Sequence, residues 1–106
     1  MADSETAMIK KDEPRGLYLR FIQIYRRIKI LRTLYVYGSN SKGKIIEKSR
    51  MSWDKAHPTI DSLIETNHIN KEDIKDMRWV KWLSLTQKGK EALHKWNELT
   101  EALDLE

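Results

Sequence analysis

Between Leu17 and Tyr37 the apolar positions recur at helical spacing, and they form two stripes rather than one. Tyr18, Phe21, Ile22 and Tyr25 make one stripe; Ile24, Ile28, Leu31 and Leu34 make the other. An apolar surface wider than a single core requires implies burial on two sides. In so short a chain the second side is expected to be another subunit. Pro14 suits the first turn of this helix, and Gly38 suits a left-handed cap at its end. Residues 1–13 are polar, mixed in charge and without a period, so a flexible arm is expected ahead of one domain spanning residues 14–106.

Downstream the signals are shorter. Asn40 or Ser41 can cap a second helix, roughly Lys42 to Arg50, with Ile45 and Ile46 turned inward. After a short turn, "RMS", Ser52 is a good N-cap for a third helix through Asn67. Its inner stripe is Ala56, Ile60 and Leu63, at spacings of four and three. Pro58 lies inside this helix and removes a backbone donor. Either the first turn is therefore 3₁₀, or the regular helix begins near His57. Asn67 can take the left-handed closing conformation usually supplied by glycine. In "RWVKWLSLT", Val80 and Trp82 alternate with Lys81 and Leu83 as in a strand. With the preceding "NKEDIKDM" it predicts a β-hairpin with a charged tip. Thr86 caps a last helix whose Ala92, Trp96, Leu99 and Leu103 are spaced four, three and four apart. That short seam packs either on its own domain or on a second copy.

Composition narrows the function classes. The 106 residues, 40% hydrophobic and 34% charged, fit one small domain with a modest core. There is no cysteine, which excludes disulfides and thiolate metal sites. No apolar run approaches about 18 residues, and the acidic start "MADSETAMIKKDEP" is unlike a signal peptide, so no membrane partner and a cytoplasmic location are expected. The net charge of +4 conceals an uneven distribution. Residues 15–55 hold eleven Lys or Arg against Glu47 and Asp54, a net of +9, whereas residues 56–76 hold two Lys against five acids, a net of −3. A concentrated basic block is the footprint of a polyanionic partner.

Two catalytic readings fail. Gly38, Gly43 and Lys44 match the spacing of a phosphate-binding P-loop, but Ile45 stands where Ser or Thr would hold Mg²⁺ and the preceding segment reads as a helix. No ATP binding is expected. His57, His68 and His94 sit in different elements without metal-ligand spacing, and no nucleophile elbow frames the Ser, His and Asp residues. Neither an enzyme nor a cofactor is expected.

The order helix, helix, turn, helix, β-hairpin, helix is that of a winged helix-turn-helix, an α+β fold that is mainly α. The stretch "GKIIEKSRMSWDKAHPTIDSLIETNHI" resembles the helix-turn-helix of bacterial and archaeal winged-helix regulators, with Asn67-His68-Ile69 in the place of their usual Gly-Leu-Ile. "DMRWVKWLSLTQKGKEAL" is similar to the wing and closing helix of the MarR and PadR-like groups. Their Asp-x-Arg, strand and Leu-Thr-x-x-Gly pattern matches Asp76, Arg78, Leu85, Thr86 and Gly89. The resemblance covers about residues 26–93; the strand after Arg78 is one residue longer than is common in MarR proteins, and the chain is shorter than most of them.

The resemblance implies a homodimer that binds double-stranded DNA as a transcriptional regulator, with the long terminal helices used for dimerisation. The third helix would enter the major groove with Ser52, Trp53, Lys55, His57 and Thr59 outward, and Arg50 beside them. Ser41, Lys42 and Lys44 would face phosphate at the second helix, and Lys75 and Arg78 would lie on the wing. Trp53 either contacts DNA or packs over the hairpin. Asp54 and Asp61 are expected to face away from phosphate or to cap locally. Tyr18, Phe21, Ile22, Tyr25, Trp96, Leu99 and Leu103 are the expected dimer contacts. No residue identifies a small-molecule effector. The alternatives are a partition or architectural protein that coats DNA, and a winged-helix module that binds protein instead.

Overall fold

The computed structural model describes the backbone of residues 14–74 and 77–105, and the side chains of residues 15–74 and 80–105. The expected N-terminal arm and the hairpin tip, with Lys75 and Asp76, lie outside the described residues.

Helix α1 runs Pro14–Tyr37. Gly38 ends it at φ 78°, its N–H donating to the Leu34 carbonyl at 2.8 Å, as its position after the last apolar residue predicted. The two ends of α1 differ. Ile30, Leu31 and Leu34 are buried, whereas Tyr18, Phe21, Ile24 and Tyr25 are exposed. The inward stripe expected to start at Ile24 therefore starts at Ile28, which packs half-buried on the core. Ile30 belongs to neither expected stripe. It is buried because α1 is packed by α2, α3, α4 and β3, more sides than one amphipathic stripe serves.

Strand β1 is only Asn40–Ser41, and α2 follows at Lys42–Ser49. Of the two cap candidates Ser41 holds the position: its hydroxyl accepts the Lys44 N–H at 3.3 Å. Arg50 closes α2 in the left-handed region at φ 60°. Ile45 and Ile46 are buried as the pattern required. Helix α3 spans Trp53–Glu65 with Ser52 at its N-cap. The Ser52 carbonyl accepts from Lys55 N–H at 3.1 Å and from Ala56 N–H at 2.9 Å, so a 3₁₀-type bond tightens the first turn. The helix then continues through Pro58 instead of starting at His57. It ends two residues before the expected Asn67, which takes φ 64°. Asn67 N–H bonds to the Ile64 carbonyl and His68 N–H to the Leu63 carbonyl, the paired bonds of a Schellman closure.

Strands β2 (Ile69–Ile74) and β3 (Met77–Leu85) form the expected hairpin, with Ile69 opposite Leu85 and an irregularity between Asp73 and Ile74. A third, short strand joins this two-stranded wing at its base. Asn40 and Ser41 pair with Leu83 and Trp82, giving a three-stranded antiparallel sheet in the order β1-β3-β2. Among the described side chains of β3, Leu83 is the fully buried one.

Helix α4, Gln87–Ala102, is capped by Thr86, whose hydroxyl accepts the Gly89 N–H at 3.1 Å and donates to the Asn67 carbonyl. The Thr86 N–H also reaches the His68 carbonyl at 3.2 Å. A Cβ on Gly89 would fall inside van der Waals contact of that same carbonyl oxygen. The Leu-Thr-x-x-Gly pattern is thus a close docking of α4 on the α3–β2 corner. Leu93 is buried, and Leu99 and Leu103 are exposed in the single chain. The core joins Ile30, Leu31 and Leu34 to Ile45, Ile46, Ala56, Ile60, Leu63, Ile69, Leu83 and Leu93. Buried hydroxyls satisfy themselves locally: Thr33 donates to the Lys29 carbonyl and Ser49 to the Ile46 carbonyl, each at 2.7 Å.

Candidate nucleic-acid interface

Ala56, Ile60 and Leu63 face the core, so the helical period turns Asp54, Pro58, Asp61 and Glu65 outward, and all four are exposed. Lys55 is the single cation of α3 against these three acids. Trp53 does not pack over the hairpin. It is 58% exposed, and its ring stacks on His57 at 5.6 Å between centroids with 13° between the planes. His57 Nε2 lies 3.4 Å from Asp61 Oδ2, while His57 Nδ1 is buried without a hydrogen-bond partner among the described residues. A hydrogen bond from Ser52 holds the Asp54 carboxyl below the usual range, and the charges of Lys55 and Arg26 act in the same direction.

The expected phosphate contacts of α2 are divided. Lys42 is only 15% exposed, and its ammonium lies 2.8 Å from Asp61 Oδ1. That hydrogen bond, reinforced by the charge, keeps the Asp61 carboxyl below the usual carboxylate value. Lys42 therefore ties α2 to α3. Ser41 is engaged as the α2 cap, and Thr59 donates to the Lys55 carbonyl at 2.8 Å. Lys44, Arg50, Ser52 and Lys55 are exposed, with Lys44 Nζ 3.5 Å from Glu47. Arg78 lies on β3, and only its backbone is described.

Helix α1 carries six of the eleven cations in the basic block and no acid. Two of them, Arg26 and Lys29, line a groove of about 350 Å³ together with Arg50, Ser52 and Lys55. Beside it, Arg27 Nη2 donates to Ser62 Oγ at 2.7 Å, drawing α1 along the flank of α3. The sequence pattern did not single out Arg26, Arg27 and Lys29. The charge block that contains them was visible; their position beside α3 was not.

Of the expected dimer contacts, Tyr18, Phe21, Tyr25, Leu99 and Leu103 are exposed, and Ile22 and Trp96 are half-buried. Among the described residues no group of three His, Asp or Glu could hold a metal ion, and no helix is long and apolar enough to cross a membrane.

No protein-family model matches the chain, and no curated protein matches it significantly. Solved structures do. YusO of Bacillus subtilis is 20% identical over 97% of this chain and 80% of its own, with a TM-score of 0.67. BpsR of Bordetella bronchiseptica, whose DNA binding is regulated by 6-hydroxynicotinic acid, is 15% identical over 85% of this chain and 76% of its own, also at 0.67. A MarR variant from E. coli, solved in complex with operator DNA, is 9% identical over 87% of this chain and 77% of its own, at 0.62. The likeness at these identities is one of fold: the chain has the MarR-like winged-helix fold.

Proposed function

We propose that this winged-helix protein is a homodimeric, sequence-specific DNA-binding regulator that acts as a repressor by occupying a pseudo-palindromic site. The observation that supports it best is the exposed first turn of α3, where Ser52, Trp53 and Lys55 project beside Arg50 on a scaffold shared with a protein solved on its operator. In the reading advanced here, α3 enters the major groove, Ser52 and Lys55 contact bases or phosphates, and the Trp53 indole meets a thymine methyl or a sugar edge. Lys44 and Arg50 contact the backbone, and Lys75 and Arg78 carry the wing along it. His57 supports Trp53 by stacking, and Lys42 acts by neutralising Asp61. Tyr18, Phe21, Ile22 and Tyr25 of α1, with Trp96, Leu99 and Leu103 of α4, form the dimer contact.

One observation favours a second reading, a module that binds protein: the outward face of α3 is acidic through Asp54, Asp61 and Glu65. Gel-shift titration of random-sequence and selected duplexes across a salt series separates the two. Binding that is steep in salt, with a protected site of defined length, supports the regulator. Steep binding without sequence preference indicates a coating protein, and no duplex binding at low salt removes both DNA readings.

A further inference from the structure

We propose that α1 is itself part of the nucleic-acid interface: the groove between Arg26 and Lys29 of α1 and Arg50 and Lys55 at the α2–α3 turn holds a backbone phosphodiester of the duplex that α3 reads. This rests on the DNA-binding reading above and extends it to a helix otherwise assigned to packing and dimerisation.

Four cations and Ser52 are among the residues that line this groove, and no acidic residue is. Among the described residues, none of the four cations is in an ion pair. The Asp54 carboxylate, which interacts with Lys55 and Arg26, offsets only part of the repulsion among the four, and an anion in the groove relieves the rest. Lys29 is held in place, its ammonium 5.5 Å from the centre of the Tyr25 ring.

The outward face of α3 sharpens the need for such a groove. Lys55 is outnumbered there by Asp54, Asp61 and Glu65, so α3 alone repels a polyanion. Cations on its flank reverse that sign. Ser52 and Lys55 belong both to the groove and to the first turn of α3, so a strand tracked by the groove is contiguous with the one α3 contacts. The cationic surface also continues past the groove. Arg26 borders a second hollow with Gln23, Arg27, Thr59 and Ser62. A ridge of this kind suits an extended chain of phosphates better than a single small anion.

The test compares Arg26→Gln/Lys29→Gln with wild type on one duplex selected by the wild-type protein, across a salt series. We expect binding about tenfold weaker at moderate salt and a log–log salt slope shallower by about 2. The charge-keeping Arg26→Lys/Lys29→Arg variant should bind within a few-fold of wild type. An unchanged affinity and slope in the Gln variant, with Lys55→Gln still weakening binding, overturns the α1 interface while leaving the DNA reading intact. An equal loss in the charge-keeping variant assigns the effect to packing and overturns it too. Failure of the wild-type protein to bind any duplex at low salt ends the DNA reading itself.

Discussion

The ammonium of Lys42, the first residue of α2, lies 2.8 Å from Oδ1 of Asp61 in the C-terminal half of α3. This contact spans the helix-turn-helix and sets one helix against the other. It also cancels a carboxylate that would otherwise oppose phosphate. The two partners therefore make opposite predictions for DNA. Asp61→Asn should tighten binding to mixed-sequence duplex, and Lys42→Met should weaken it. Each should lower stability by about 0.5–1 kcal/mol in urea unfolding, because Asp61 is half exposed and solvent screens the pair. Asp61 titrates below its ordinary value when folded, so the clamp's contribution is present above about 3.8 and is lost as pH falls through the depressed value.

Gly89→Ala should destabilise the protein by about 1–3 kcal/mol, read as a lowered melting temperature, because the new methyl group meets the His68 carbonyl. An unchanged melting temperature would mean that α4 can shift away from the α3–β2 corner at little cost.

His68 gives the fold a dependence on mildly acid pH. Burial, followed by the charges of Lys88 and Arg27, holds its imidazole below 6.5. The unfolded chain therefore takes up a proton first as pH drops. Stability should be full above about 6.5, should fall below it, and should level off under the folded value. His68→Gln should remove that slope in melting temperature measured against pH.

Phe21 on α1 is 56% exposed and Leu99 on α4 51%. Phe21→Asp or Leu99→Asp should lower the mass seen by light scattering toward that of a monomer. A mass equal to that of the wild type would place the subunit contact elsewhere.

Lys44→Ala should weaken DNA binding modestly across sequences and reduce the salt slope by about 1. ATP should bind neither form. Gly38 ends a helix and Ser41 caps the next, so the backbone between them does not fold as a phosphate loop.

The caps and the inward stripes were legible because they are local chemistry. Ser41, Thr86 and Asn67 satisfy backbone groups a few residues away, and Ala56, Ile60 and Leu63 follow the period of a single helix. The fate of Trp53 was not legible, because one turn of α3 offers its ring both the hairpin and His57 as partners.

The sequence by itself determined the order of the helices and the hairpin, their capping and the core-facing residues of α2 and α3, since each depends mainly on near neighbours in the chain. Only the tertiary structure decided the rest. Two polar residues became strand β1 because β3 offered them a backbone edge. Ile30 was buried because α1 is packed on several sides. Lys42 was drawn from the surface to Asp61, and Arg26 and Lys29 were set against Arg50 and Lys55. Each of these joins residues far apart in the chain. Their distance depends on how whole helices pack, and no local pattern encodes it.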